Sequence, residues 1–205
     1  DPGTWAESVQ AYQASAAFAD HQVGRLLDAL ESSAIAKNTI IILWSDHGYH
    51  LGEKQHWEKF TLWEKANHIP FLIAAPGVTN PGSVCERPVD LSGIYPTLLD
   101  LCGLPEVEDL DGVSLRPLLE NPEVTWDRPA VMTYQRGNHA VRSDRWRYIR
   151  YGDGSEELYD HGSDPHEFTN LADDPRLRSV MDDLGRWIPE SDASAAPDLK
   201  PPGTP

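Results

Sequence analysis

The sequence has 205 residues, with 17 Lys and Arg against 33 Asp and Glu, which gives a formal net charge of −16 at pH 7. Phosphate backbones and anionic lipids repel a chain of this charge, so nucleic acid and a membrane surface are disfavoured as partners. Apolar residues make up 40% of the sequence and include seven Trp, enough to form a hydrophobic core. The longest apolar run, residues 40–44, is far shorter than a membrane span. Two cysteines, Cys85 and Cys102, are too few for a disulfide scaffold, and the sequence leaves their pairing open.

The first predicted element is a helix over residues 9–30, where apolar residues recur at steps of three and four. This stripe consists of Val9, Tyr12, Ala16, Ala19, Val23, Leu26 and Leu30. Residues 39–44 predict a strand that is apolar on both faces, as in a central strand covered by helices. A helix that leads into such a strand favours an α/β fold.

The next part of the chain alternates between loops and apolar segments. Residues 45–67 predict a polar, aromatic-rich loop, and residues 68–75 predict a second buried strand. Residues 90–102 predict a helix, with Gly103 as its C-terminal stop. The stretch 104–129 is rich in Pro, Asp and Glu, which indicates an irregular connector.

The pattern changes at residue 130. Short alternating segments predict a small antiparallel sheet, with a hairpin turn at Asp153-Gly154. Asp174 as a cap and Pro175 in the first turn predict a helix that runs to about residue 188.

These changes predict three parts of the chain. Residues 1–129 form an α/β part, and residues 130–189 form a small antiparallel subdomain with a C-terminal helix. Residues 190–205 contain almost nothing to bury and are expected to form a tail.

The densest group of reactive side chains follows the first predicted strand and includes Asp46 and His47. Open α/β sheets bind their ligands at the carboxyl ends of strands. Gly48 lets the backbone leave the pleat, so both side chains can converge on one ion. A carboxylate with an imidazole suits Zn, Mn or Fe better than Mg, whereas Ca accepts the carboxylate most readily. The alternative is that Asp46 caps the next turn and that His47 is an ordinary surface residue.

This region resembles the sulfatase family of the alkaline phosphatase superfamily, and in particular its iduronate-2-sulfatase-like branch. The matching residues are Thr39–Gly48, Leu51-Gly52-Glu53 and Trp57-Glu58-Lys59. Further matches follow the same order along the chain: residues 12–15, 23–27, 29–31, 68–71, 89–97, 111–115, 146–149, 157–160 and 164–171. The resemblance covers nearly everything from residue 9 to residue 188.

The resemblance implies part of an alkaline-phosphatase-like mixed or parallel sheet with helices, followed by the small antiparallel sheet and the C-terminal helix. Residue by residue, it makes Asp46 and His47 ligands of a divalent cation, usually Ca, with Mn, Fe and Zn as alternatives. Lys59 matches the lysine that contacts the sulfate group, and it is the predicted catalytic and substrate-binding residue. The implied activity is hydrolysis of sulfate esters, with a sulfated sugar or glycan as the expected substrate.

One part of the family pattern is missing. The family's nucleophile is a formylglycine hydrate made from the Cys of a Cys-x-Pro-x-Arg motif, and neither Cys85 nor Cys102 stands in such a motif. The paired Asp ligands near the start of the family's fold are missing as well. The sequence also begins at Asp1, without an initiator Met or a signal peptide. We therefore expect the C-terminal portion of a sulfatase, inactive alone, whose N-terminal portion supplies the formylglycine.

Two residues of the antiparallel subdomain, Arg136 and His139, are expected to contact an anionic sugar, with an exposed polar loop as the alternative. Two other functions remain open: a phosphonate monoester or phosphodiester hydrolase of the same superfamily, and a non-catalytic binding module of the sulfatase fold. The acidic composition is typical of a periplasmic or extracellular hydrolase, or of a lysosomal one in a eukaryote.

Overall fold

The computed structural model describes residues 2–194, which form two compact units. Unit 1 comprises Asp1–Lys59, Lys65–Cys85 and Ile94–Val124. Unit 2 comprises Phe60–Glu64, Glu86–Gly93 and Thr125–Pro205. The predicted boundaries at residues 129 and 189 stay predictions.

Unit 1 begins with a long helix, α1 (Pro2–Glu31), which confirms the predicted helix and starts seven residues earlier. Its apolar stripe is mostly exposed in the described structure, and Leu26, for example, keeps 71% of its surface. Only Val9, Val23 and Leu30 of the predicted stripe are partly buried there. Neither α1 nor another helix within residues 2–194 is long and apolar enough to cross a membrane.

Two strands of unit 1 form an antiparallel pair. Strand β1 (Ile41–Trp44) pairs with β4 (Phe71–Ala74), so that Ile41 lies opposite Ala74. Both strands lie within the predicted apolar segments. Leu43, Trp44 and Leu72 are exposed, so the predicted burial of both strand faces is not met within the described residues. The α/β class is confirmed, and the strand pairs among the described residues are all antiparallel.

The loop between these strands contains more regular structure than its sequence predicts. Strands β2 (His50–Leu51) and β3 (Trp57–Glu58) pair antiparallel, and a short helix, α2 (Glu64–Asn67), precedes β4. Each element is only two to four residues long, too short to show a period of its own in the sequence.

The predicted helix after β4 is confirmed as a single-turn 3-10 segment followed by α3 (Ile94–Leu101). Pro96 lies in the first turn of α3, where a missing N–H costs nothing. Gly103 follows with a positive φ of 63°, which is the usual left-handed stop.

The predicted connector 104–129 contains a short helix, α4 (Arg116–Glu120), that the sequence pattern did not indicate. Its start is fixed by contacts to α3. Leu115 N donates a hydrogen bond of 2.8 Å to Oγ1 of the buried Thr97, and Arg116 Nη1 donates one of 2.9 Å to Asp100.

Unit 2 contains the predicted antiparallel sheet. Its strands are β5 (Ala130–Thr133), β6 (His139–Arg142), β7 (Trp146–Arg150) and β8 (Glu156–Asp160). They pair in sequence order, all antiparallel. The predicted turn lies between β7 and β8, where Gly154 has a φ of 86° and its N–H donates to the carbonyl of Tyr151.

The C-terminal helix packs on this sheet. Asp174 caps it by accepting a 2.9 Å hydrogen bond from Arg176 N, as predicted, and one 3-10 turn leads into α5 (Arg178–Gly185). The helix therefore ends three residues before the predicted limit. The core between sheet and helix consists of Val141, Tyr148, Leu158, Met181, Leu184 and Ile188. Most of the predicted tail, residues 195–205, lies outside the described residues.

We expect Leu158→Ala to lower the free energy of unfolding by about 2–5 kcal/mol, because Leu158 is fully buried in this core and the truncation leaves a cavity. Urea denaturation of the full-length protein, followed by far-UV circular dichroism, measures the loss. Leu104→Ala, at a leucine that is 55% exposed, is the control and should change stability by less than about 0.5 kcal/mol. Equal losses for both variants would contradict this account of the core.

Candidate functional site

The site begins where β1 ends, and a glycine sets the path of its backbone. Gly48 N donates a hydrogen bond of 2.8 Å to the carbonyl of Ala66. A Cβ atom on Gly48 would lie 2.1 Å from the carbonyl oxygen of Lys65, so no other residue fits without displacing backbone. This close approach holds the backbone at His47 against the chain before β4.

The structure brings together the three residues that the sequence predicts for unit 1. Lys59 Nζ lies 2.6 Å from His47 Nε2, and Asp46 Oδ2 lies 3.7 Å from the same nitrogen. His47 Nδ1 is 2.8 Å from the carbonyl of Gly48. Because an ammonium only donates and a carbonyl only accepts, a neutral His47 carries its proton on Nδ1, and the lone pair of Nε2 accepts the hydrogen bond from Lys59.

Asp46 and His47 fit the ligand set of a divalent cation. Two ligand atoms bound to one cation at about 2.0–2.6 Å lie about 3–4 Å apart, and the observed separation is 3.7 Å. The Asp46 side chain is 82% exposed, and the unprotonated nitrogen of His47 is the one that faces it. A carboxylate oxygen and an imidazole nitrogen therefore converge at the end of β1.

Backbone strain accompanies Lys59. Glu58 and Phe60, on either side of it, have left-handed φ angles of 70° and 65°, which non-glycine residues rarely adopt. The carbonyl of Lys59 also lies 2.9 Å from His56 Nε2. A strained backbone of this kind persists only where the surrounding contacts hold it in place. Such strain is found mainly at functional sites.

Helix α1 packs on this loop through aromatic contacts that sequence reasoning missed. The rings of Trp5 and Trp57 lie 5.4 Å apart in an edge-to-face arrangement, and those of Tyr12 and Tyr49 lie 5.2 Å apart. Gly52 has a φ of 111°, and a Cβ atom there would lie 1.9 Å from Trp5. Helical periodicity places Tyr12 on a stripe but gives no indication of what it meets.

The loop also holds a carboxylate in place. Glu53 Oε2 accepts a 2.7 Å hydrogen bond from Leu51 N, and Lys65 Nζ lies 3.9 Å from its other oxygen. Partial burial raises the pKa of Glu53, but the backbone hydrogen bonds and the charge of Lys65 outweigh it and hold the pKa below its usual value.

The two residues predicted to contact sugar lie at the β5–β6 connection of unit 2. Arg136 is exposed, whereas His139 is 2% exposed at the start of β6. Both imidazole nitrogens of His139 have partners: Nδ1 is 2.9 Å from Thr133 Oγ1, and Nε2 is 3.2 Å from Asp192 Oδ1.

Unit 2 contains a second group of metal-type ligands, Glu64, His161 and Glu167, whose ligand atoms lie within 4.8 Å of one another. Two arginines already pair with them. Arg147 Nε lies 2.6 Å from Glu167 Oε1, its Nη2 contacts Glu64, and Arg142 Nε lies 3.3 Å from Glu64 Oε2.

The charges of this buried group already balance, with two carboxylates against two guanidinium groups. Arg147 and Glu167 are each 1% exposed, so a further divalent charge beside them would be strongly unfavourable. Burial raises the pKa of Glu64, but Arg147 and Arg142 outweigh it and hold the pKa below its usual value. We therefore interpret the group as a buried ion-pair network.

Comparison with known proteins decides the family. The sulfatase family profile matches residues 1–104, half of the chain, including Asp46, His47 and Lys59. The chain belongs to the sulfatase family. The iduronate-2-sulfatase-like branch stays a prediction.

Relatives of this sulfatase chain are found among curated proteins and among solved structures. A sulfatase of Formosa agariphila is 44% identical over 192 residues, which cover 94% of this chain and 38% of that protein. A structure in complex with its substrate, D-glucosamine-2-N,6-O-disulfate, has a TM-score of 0.72 and 27% identity, and the match covers 82% of this chain and 36% of that one. The phosphonate monoester hydrolase of Agrobacterium radiobacter has a TM-score of 0.71 and 29% identity, covering 82% and 37%. The chain thus spans less than two fifths of these relatives.

We expect Gly52→Ala to destabilise the protein by about 1–3 kcal/mol, because a methyl group there meets the Trp5 ring and the φ of 111° is unfavourable for alanine. Gly24→Ala is the matched control: Gly24 lies within α1 with no atom within 4 Å of its added Cβ, so the change should stabilise by up to about 1 kcal/mol. Chemical denaturation followed by tryptophan fluorescence compares the two. A destabilising effect of the same size at both positions would contradict the packing described for Gly52.

The lowered pKa of Glu64 predicts a pH dependence of stability. A carboxylate whose pKa is lower in the folded state stabilises the fold above its unfolded pKa of 4.5, and this contribution is lost as the pH falls through the folded value. We expect Glu64→Gln to cost about 1–3 kcal/mol at neutral pH and to flatten the decline in unfolding free energy below pH 4.5. Urea titrations at several pH values measure both effects. Glu190→Gln, at an exposed carboxylate, should retain the wild-type slope.

Proposed function

We propose that this chain forms part of a sulfuric ester hydrolase that acts on sulfated sugars. Lys59 binds the sulfate group, and Asp46 and His47 hold a divalent cation. The observation that carries this proposal is the convergence of Lys59 Nζ, His47 Nε2 and the Asp46 carboxylate at the end of β1, in a chain that belongs to the sulfatase family.

The chemistry of sulfate ester cleavage suits this arrangement. Negative charge is shared over the sulfuryl oxygens, and preorganised positive charge stabilises it as the ester bond breaks. Lys59 supplies one such charge as a compact ammonium with three donors. The hydrogen bond from His47 Nδ1 to Gly48 keeps the other ring nitrogen unprotonated, as a metal ligand requires. The lone pair of that nitrogen accepts from Lys59 in this structure, so a bound cation would replace this hydrogen bond and leave the ammonium of Lys59 to the sulfate group.

The proposed cation is Ca, with Mn, Fe or Zn as alternatives, and when bound it would supply Lewis-acid stabilisation of the sulfuryl oxygens. Two ligands do not complete the shell of such an ion, and further ligands would come from other residues of the protein. The nucleophile, a formylglycine, is likewise proposed to lie outside this chain, because the sequence contains no Cys-x-Pro-x-Arg.

The substrate class is supported by one of the structural relatives, which was solved with a sulfated glucosamine as its substrate. Arg136, exposed on unit 2, is proposed to bind an anionic group of the sugar. His139 is proposed to take part in the same sugar site. It is buried at the base of the β5–β6 connection, where Thr133 and Asp192 hold its ring. A periplasmic, extracellular or lysosomal location is part of the proposal.

A second candidate is a phosphonate monoester hydrolase, which the similarity to the Agrobacterium radiobacter enzyme favours. Phosphonate and sulfate esters both place negative charge on oxygens beside Lys59, so the local geometry suits both. Relative rates on the two ester types decide between the candidates.

We expect Lys59→Met to lower kcat/KM for a sulfate ester about 10²–10³-fold in the full-length protein, because one charge on the sulfuryl oxygens is removed. Lys37→Met, at an exposed lysine of a 3-10 turn in the same unit, is the control and should keep wild-type kinetics. Steady-state assays with an aryl sulfate and an aryl phosphonate measure the effect and compare the two candidates. Unchanged kinetics of the Lys59 variant would contradict the role given to this residue.

Metal analysis separates an enzyme from a binding module. The full-length protein should retain a divalent cation that Asp46→Ala removes together with activity, whereas a module that needs no cation should contain none in either form. The 205 residues alone should show no turnover of a sulfate ester.

A further inference from the structure

Unit 2 presents an aromatic pair at its surface. The rings of Phe60 and Tyr134 lie 5.8 Å apart and are tilted by 34°. Phe60 is 55% exposed, and Tyr134 is partly buried against the cluster that contains Leu62 and Ile149. Tyr134 is therefore supported from below by the core, while the phenyl ring beside it leaves a large apolar area in water.

Phe60 does not belong to a loose loop, because the segment Phe60–Glu64 is anchored to the sheet of unit 2 along its length. Arg147 Nη1 donates a 3.0 Å hydrogen bond to the carbonyl of Leu62. Trp63 Nε1 donates one of 2.7 Å to Glu157, and Glu64 N donates one of 2.8 Å to Glu167.

Glu157, the partner of Trp63, is itself held by the sheet. Tyr159 and Tyr151 donate hydrogen bonds of 2.7 Å and 3.2 Å to its two carboxylate oxygens. Burial and the charge of Glu157 raise the pKa of both tyrosines, so they remain protonated donors at neutral pH.

The tyrosine side of the pair is equally fixed. Tyr134 N donates a 3.1 Å hydrogen bond to the carbonyl of Asn138, and Asn138 Oδ1 accepts one of 2.9 Å from Gly152 N. Gln135 has a left-handed φ of 61°, as Phe60 has one of 65°. One member of the aromatic pair and the residue after the other member therefore have an uncommon backbone conformation, and native structures keep such conformations mainly at functional sites.

Polar side chains adjoin the aromatic surface. Gln135 Nε2 lies 3.4 Å from the Tyr134 hydroxyl, and Arg136 is exposed at the next position. An apolar ring surface beside amide and guanidinium donors matches a pyranose ring, which has an apolar C–H face and polar groups around its edge. The positive charge of Arg136 disfavours a quaternary ammonium over the same rings.

We propose that Phe60 and Tyr134 form a stacking surface for a pyranose ring of an anionic glycan, with Arg136 paired to a sulfate or carboxylate of that glycan. The inference rests on the proposed function and names the residues that make the enzyme prefer a sugar sulfate over other sulfate esters. Phe60 directly follows Lys59 in the sequence.

The test uses the full-length protein with two substrates, a short alkyl sulfate that contains no ring and a 6-O-sulfated glucosamine. We expect Phe60→Leu and Tyr134→Leu each to raise the ratio of KM for the sugar sulfate to KM for the alkyl sulfate about 3- to 10-fold. Leucine keeps an apolar side chain at each position but removes the π face. Phe168→Leu, at a phenylalanine of unit 2 that is 71% exposed, is the control and should change neither substrate.

A second measurement does not depend on turnover. Titration calorimetry with glucuronic acid, an anionic pyranose that has no sulfate ester to hydrolyse, should show binding that Phe60→Leu and Arg136→Met weaken and Phe168→Leu does not. Hydrolysis of the short alkyl sulfate, together with an equal KM for the sugar sulfate in the Phe60 and Phe168 variants, would overturn this inference alone. Failure to hydrolyse either ester would overturn the proposed function. A preference for an alkyl sulfate that carries a quaternary ammonium, lost in Phe60→Leu, would show a cation site and overturn the glycan assignment.

Discussion

Burial of the Arg147 guanidinium is the constraint on which unit 2 depends. A charged group that is 1% exposed must find compensating charge and hydrogen-bond acceptors, or its desolvation would cost several kcal/mol. Arg147 meets this demand with Glu167 on the loop after β8, with Glu64, and with the carbonyl of Leu62. A segment far away in the sequence is therefore fixed to the sheet by electrostatics as well as by apolar packing.

That constraint bears on function because of where the anchored segment lies in the chain. Phe60 to Glu64 follow Lys59 directly, and the backbone on both sides of Lys59 is held in the left-handed region. A lysine in an ordinary loop samples many rotamers and contributes little preorganisation. Catalysis by fixed charge works only when the charge is in place before the reaction, so an over-determined backbone beside Lys59 supports the role proposed for it.

The sequence predicted regular elements wherever one period extended over several residues. The helix with Val9 and Leu30 on one stripe, the four strands of unit 2 and the Asp174 cap all have local signals, and all are present. Helix α4 has five residues, too few for a stripe, and its start depends on Thr97, 18 residues away from its partner Leu115. No local rule contains that information.

The candidate site was likewise predictable from the sequence only in part. The pattern of Asp46 and His47 after an apolar strand indicates a ligand pair, but nothing in spacing alone brings Lys59 to His47 across 12 residues. The family resemblance provided that connection. The packing of Trp5 over Gly52 lay beyond both kinds of reasoning, because a glycine in a loop does not show which side chain lies over it.

Fixed charges stabilise a transition state strongly only where solvent is excluded, since the interaction energy of two charges falls with the dielectric constant around them. The Asp46 carboxylate is 82% exposed, so unit 1 does not itself provide this environment. The same unit leaves Leu43, Trp44 and Leu72 exposed on the strands that lead to and from the loop. Covering these apolar residues would bury the strands and dehydrate the loop together, so one packing event would supply both stability and the low dielectric on which Lys59 and the proposed cation depend.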